Sequence, residues 1–139
     1  GEHIIEYALI PHGPGWTLGL STQTGENFNV PLVAVSSDFH DGDLPLSHAF
    51  MEVGPANVRA TAVKLSEDGQ AIIVRLIETE GSSTRARLRL SPLLFAGVTE
   101  LTQVDLMERP LATNGARLED GVVTVPVAAH GIATLRVAL

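Results

Sequence analysis

The run Thr84-Arg-Ala-Arg-Leu-Arg-Leu90 sets Ala86, Leu88 and Leu90 at alternate positions, with Arg85, Arg87 and Arg89 between them. A period of two matches a β-strand, whose successive side chains point to opposite faces. A helix over the same residues would mix arginine with leucine around its circumference. One face of this strand is suited to a core and the other to water, the pattern of an antiparallel sheet covered on one side only. The apolar face needs a second layer over it, which directs the chain towards a sandwich.

Other short runs separated by turn chemistry extend that reading. Ile4–Ile10 is an apolar run stopped by Pro11 and Gly13. Trp16–Asn27 is broken by Gly19 and Gly25, which weaken a helix, and Val30–Val35 carries Pro31, which suits an edge or a strand start. Asp38–Pro45 is a polar loop. Ser47–Val53, Asn57–Leu65, Ala71–Thr79, Glu100–Met107, Gly121–Val127 and Ile132–Leu139 are further expected strands. The expectation is an all-β antiparallel β-sandwich of eight or nine short strands, one domain over residues 1–139.

Composition narrows the function classes. The formal charge is −7, from 16 acidic and 9 basic residues, and all the basic residues except Lys64 are arginine. A net acidic chain is poorly suited to phosphate neutralisation, so neither nucleic acid nor an anionic membrane is an expected partner. No run of about 18 apolar residues is present to span a bilayer. The lack of cysteine removes disulfides and thiolate metal sites and is compatible with a cytoplasmic parent. The chain opens directly on a strand-like run, as expected of a piece cut from a longer protein.

Candidate chemistry is sparse. His40-Asp41-Gly42-Asp43 with His48 is the densest set of potential metal ligands, but zinc needs three or four converging donors and a solvated Asp/Gly turn accounts for the same residues. Glu78 and Glu80 share a strand face at a hairpin end, where acidic residues are expected to be solvated rather than paired across a sugar. No G-x-S-x-G, G-x-G-x-x-G or P-loop pattern occurs. Arg85, Arg87 and Arg89 read as a solvent face tied to acids such as Glu78, with a partner-binding ridge as the alternative. Tyr7 and Trp16, the only Tyr and Trp, are expected to pack in the core or against a neighbour.

Four segments carry a family resemblance. Glu6-Tyr-Ala-Leu-Ile-Pro-His12, with Gly13-Pro-Gly-Trp16 behind it, resembles the "YAL-x-PH" segment in the C-terminal region of glycoside hydrolase family 38, the retaining α-mannosidases. Asn57-Val-Arg-Ala-Thr-Ala-Val-Lys64 with Ser66-Glu-Asp-Gly69 is similar to its "NV…A-x-K-x-x-ED" segment. Ile73-Val-Arg-Leu-Ile-Glu78 before Gly81 resembles its "hydrophobic-R-L-x-E-x-x-G" strand and turn, and Gly131-Ile-Ala-Thr-Leu-Arg136 its closing "I-x-T-L-R" strand.

The resemblance implies the C-terminal accessory β-domain of a zinc-dependent retaining α-mannosidase, with one short helical turn near residues 15–24. The family's nucleophile and zinc ligands match no position here, so this chain is expected to hold no catalytic residue, cofactor or metal of its own. Zinc and the α-mannoside substrate belong to the catalytic domain of the same polypeptide, the implied partner. Tyr7, His12, Trp16 and Arg75 are the expected docking or active-site rim residues. Arg75 should pair internally with an acid or point to a surface that the parent covers. The alternatives are a free-standing carbohydrate-binding module and a protein-interaction module.

Overall fold

The strand expected from the Thr84–Leu90 alternation occupies those residues in the computed structural model, which describes residues 1–15 and 17–138. In chain order the elements are α1 (Leu18–Asn29), β1 (Met51–Gly54), β2 (Val58–Leu65), β3 (Ala71–Glu78), β4 (Thr84–Leu90), β5 (Glu100–Val104), β6 (Arg117–Glu119), β7 (Val122–Val127) and β8 (Ile132–Ala138). The chain divides into two units, Gly1–Asp41 and Gly42–Leu139. The second unit holds the eight strands, in two antiparallel sheets ordered β1-β4-β7-β6 and β2-β3-β8-β5. The all-β sandwich expected from the sequence is the observed fold.

The core forms where the inner faces meet. Ala86, Leu88 and Leu90 of β4 are buried against Val74 and Leu76 of β3, Val123 and Val125 of β7, and Leu135 of β8. Arg85, Arg87 and Arg89 face solvent, as the period of two requires. Burying a Val, Leu or Ile side chain contributes about 1.5–3 kcal/mol relative to leaving it exposed, so slipping β4 by one residue would be prohibitive. Phe95 reaches into this core from the loop after β4, where the Leu94 and Phe95 N–H groups donate to the Ser91 carbonyl at 3.2 and 2.9 Å.

Two strand features escaped the sequence reading. β6 is only three residues long and joins β7 through Asp120-Gly121, both at positive φ (49° and 74°), as a tight hairpin turn requires. The edge strand β5 is closed by a side chain: the Asn114 carboxamide donates to the Leu101 carbonyl at 2.8 Å and accepts from the Gln103 N–H at 3.2 Å, as a paired peptide group would.

The first unit departs from expectation in part. The short helical turn that the resemblance implies near 15–24 is present as α1, which runs on from Leu18 to Asn29, although the glycines of Trp16–Asn27 argue against a helix. The Thr17 hydroxyl accepts the Leu20 N–H at 3.2 Å, an N-cap that offsets glycine penalties of about 1 kcal/mol each. Pro31 is disfavoured in a continuing helix, and the last turn closes with the Val30 N–H on the Glu26 carbonyl at 2.8 Å. Ile4–Ile10 and Val30–Val35 form no strand. A strand is stable only when a neighbour satisfies its N–H and C=O groups, and no residue pairs with these runs among the described residues.

Candidate functional site

Arg75 occupies the middle of β3, on the side facing away from the sandwich core. Its register partners are Thr134 on β8 and Ala62 on β2, just past a bulge between Ala60 and Ala62. Ile73 and Thr134 on this outer face are as buried as core residues. The turn after β5 crosses this face. Asp105 shapes that turn by accepting the Met107 N–H at 2.8 Å and the Arg109 N–H at 3.0 Å, while its second oxygen accepts Arg109 Nε at 2.8 Å. Those Arg109 contacts, backbone first, hold the Asp105 carboxyl below the usual carboxylate range. Glu108, at φ 63°, sits 2.8 Å from Lys64 Nζ and accepts the Glu67 N–H at 2.8 Å, so the turn reaches from one edge of the sheet to the other.

Under this turn Arg75 has few partners. One Nη lies 3.5 Å from the Leu106 carbonyl oxygen, a marginal hydrogen bond, and the buried Nε has no acceptor among the described residues. No carboxylate pairs with the guanidinium among the described residues, so of the two arrangements expected for Arg75, an internal acid or a surface that the parent covers, the internal acid is not seen.

The same sheet is charged elsewhere. Asp68 lies in the β2–β3 turn, where the Ser66 hydroxyl, the Gln70 N–H and Arg136 at 2.8 Å lower its carboxyl to about 2.

A second centre lies at one end of the sandwich. Glu78 is 1% exposed and its carboxylate accepts five hydrogen bonds. One oxygen takes Asn57 Nδ2 at 2.9 Å and the Glu80 N–H at 2.8 Å. The other takes the N–H groups of Gly81 at 2.8 Å, Ser82 at 3.1 Å and His130 at 2.8 Å. Burial alone would push this carboxyl up, but the hydrogen bonds led by His130 outweigh it and hold it at about 2. Glu78 is therefore neither solvated nor available to the arginine stripe, correcting both sequence expectations. Among the described residues the stripe makes one ion pair, with Glu52, whose Oε2 is 3.7 Å from Arg89 Nε.

The remaining candidates are plainly placed. Tyr7 is 89% exposed, and His12, whose Nδ1 is 3.0 Å from the Gly13 carbonyl oxygen, lines a shallow cavity of about 320 Å³ with Ile10, Leu20 and Thr24. Tyr7 is thus not a core residue of its unit. Trp16 lies outside the described residues. His48 contacts the Ser91 hydroxyl at 2.8 Å and meets the Phe50 ring edge-on at 5.0 Å. Among the described residues no three His, Asp or Glu side chains converge as metal ligands.

Glu78 is the residue that sequence reasoning missed, and a signal for it existed. Ile72, Val74 and Leu76 are core residues at alternate positions of β3, and continuing the alternation puts Glu78 on the core side.

The family model for the glycosyl hydrolases family 38 C-terminal beta sandwich domain matches residues 57–135, from the start of β2 into β8. The match contains Arg75 and Glu78 and leaves Tyr7, His12 and Trp16 outside it. A comparison with curated proteins gave no match.

Proposed function

Because this chain belongs to glycosyl hydrolase family 38, through its C-terminal β-sandwich domain, we propose that it is the accessory domain of a zinc-dependent retaining α-mannosidase. Its work is to brace the catalytic domain of that enzyme and to present Arg75 towards it, with Tyr7, His12 and Trp16 as further contact residues. Among the described residues no three ligand side chains converge as a zinc site would need. Zinc and the hydrolytic carboxylates are assigned to the catalytic domain.

The observation that carries the bracing role is an apolar shelf on β2. Val63 and Leu65 pair with Val74 and Ile72, so they lie on the core-facing side of their sheet. Yet they are 49% and 68% exposed, while Val58, at the other end of the same strand, is buried. The inner face of this sheet continues beyond the cover that four-residue β1 supplies. A side chain facing inward but left in water is what a domain displays where a second domain completes its core.

The test is made in the full-length enzyme, with aryl α-mannoside kinetics and thermal melts for Leu65→Glu and Arg75→Ala. Bracing predicts a lower melting temperature with near-normal turnover. Lower turnover or a raised KM at unchanged melting temperature would assign Arg75 to the active-site rim. If both variants leave both properties untouched, the docking reading fails.

A further inference from the structure

The outer face of the β1-β4-β7-β6 sheet carries a charge opposite to that of the chain. β4 contributes Arg85, Arg87 and Arg89, and the register Arg87–Thr124–Arg117 puts Arg117 on the same face. The strand acids on that face are Glu52, opposite Arg89, and Glu119, opposite Val122, so four strand arginines stand against two glutamates on a chain of net charge −7, and Asp120 of the β6–β7 turn lines a cavity with Arg89 at the end of the stripe. Arg85 and Arg87 make no ion pair or hydrogen bond among the described residues. Arg89 has only the 3.7 Å approach to Glu52. Arg87 stands opposite Gly54, where a Cβ would meet nothing within 4 Å, and this gap opens a groove of about 540 Å³ along the stripe.

The geometry states the ligand. Alternate residues of a strand are about 6.8 Å apart, so the stripe presents three guanidinium forks at the repeat of alternate side chains in another extended peptide. Arginine, unlike lysine, pairs with carboxylates through two parallel hydrogen bonds. The β7 residues directly opposite the forks are Val122, Thr124 and Pro126, which give no aromatic platform for a sugar ring or a base. A long polyanion would run off this patch onto a net acidic chain, whereas a short acidic segment would not. We propose that this face binds an extended acidic segment of a protein partner, with Asp or Glu at alternate positions meeting Arg85, Arg87 and Arg89. The site does not depend on the mannosidase reading.

The test uses the 139-residue chain, with the arginine Nε–Hε resonances followed by NMR at low salt. The probe is an acetylated peptide of Thr-Glu repeats; a peptide of the same composition with its glutamates in one block is the control. The expected result is saturable shifts at Arg85, Arg87 and Arg89, with affinity falling about tenfold in Arg85→Gln/Arg87→Gln and again on adding salt. Glu52→Gln, which removes the competing carboxylate beside Arg89, should tighten binding about twofold. Unchanged melting temperatures in these surface variants would show that the fold is intact. The proposal is overturned if the shifts fall elsewhere or if the block peptide binds as well. Tighter binding of a heparin tetrasaccharide at the stripe would also overturn it, because that would make the face a general polyanion site.

Discussion

The carboxylate of Glu78 accepts the backbone N–H of His130 at 2.8 Å, joining residues 52 positions apart. Through the same side chain the loop after β3 and Asn57, in the β1–β2 connection, are fastened to the β7–β8 loop. A buried carboxylate is costly unless its lone pairs are satisfied, and here backbone groups that would otherwise be orphaned in tight loops satisfy them.

Glu78→Gln is therefore expected to be far from conservative. Both oxygens have only donors around them, so either amide orientation sets the nitrogen against N–H groups, those of Asn57 and Glu80 on one side or of Gly81, Ser82 and His130 on the other. Thermal melts should show a fall of about 5 °C or more. Asn57→Ala, which removes one donor of five, should produce a smaller fall. Equal melting temperatures for wild type and Glu78→Gln would refute the clamp.

The pH dependence of stability follows from the two most depressed carboxyls. Glu78 moves from 4.5 to about 2 and Asp68 from 3.8 to about 2. Between those values the unfolded chain binds protons that the folded chain does not, so stability is complete above about pH 5 and declines as the pH falls towards 2. Urea midpoints measured from pH 7 to 2 should trace that decline, and Glu78→Gln should flatten part of it. A midpoint that holds constant down to pH 2.5 contradicts the assignment.

Two glycines in the clamped loops should respond differently to alanine. Gly81 has φ +72°, and a Cβ there would come 2.6 Å from His130 Nε2, the end of a side chain that can rotate away. Gly131→Ala would instead bring Cβ to 2.8 Å from the backbone carbonyl oxygen of Ala128, which cannot move without breaking its own bond to the Gly131 N–H. Gly81→Ala is expected to lose about 1–2 kcal/mol, mostly left-handed backbone strain, and Gly131→Ala more. Denaturant unfolding, repeated in a His130→Ala background, separates the terms: only the Gly81 loss should shrink there.

Arg75 should separate stem packing from charge. Arg75→Met keeps a long apolar stem over the sheet and removes a buried donor without an acceptor, so the isolated chain should be unchanged or stabilised by up to about 1 kcal/mol. Arg75→Ala loses the stem as well and should be less stable than Arg75→Met. A clear destabilisation by Met, measured by urea unfolding, would mean that the guanidinium is satisfied within this chain.

The sequence by itself determined the sheets. Alternation along Thr84–Leu90 sets which face of β4 is buried, because the side-chain period of a strand is a local property and apolar burial penalises every other register. The same rule, carried two residues past Leu76, assigns Glu78 to the core side, although an acid at a hairpin end looks like a solvated one. The Asp120-Gly121 pair is likewise a local hairpin signal, although the three-residue β6 ahead of it went unread. Tertiary structure decided what depends on groups distant in the chain. Glu78 can remain charged inside because the N–H of His130 and the amide of Asn57 arrive from other loops, and no local pattern encodes their arrival. Arg75 is half covered because the Asp105–Arg109 turn crosses its sheet, held by Lys64 and Glu67 on the far side. Ile4–Ile10 has strand composition without strand structure for the converse reason: extended backbone needs a neighbour for its hydrogen bonds, and composition cannot supply one.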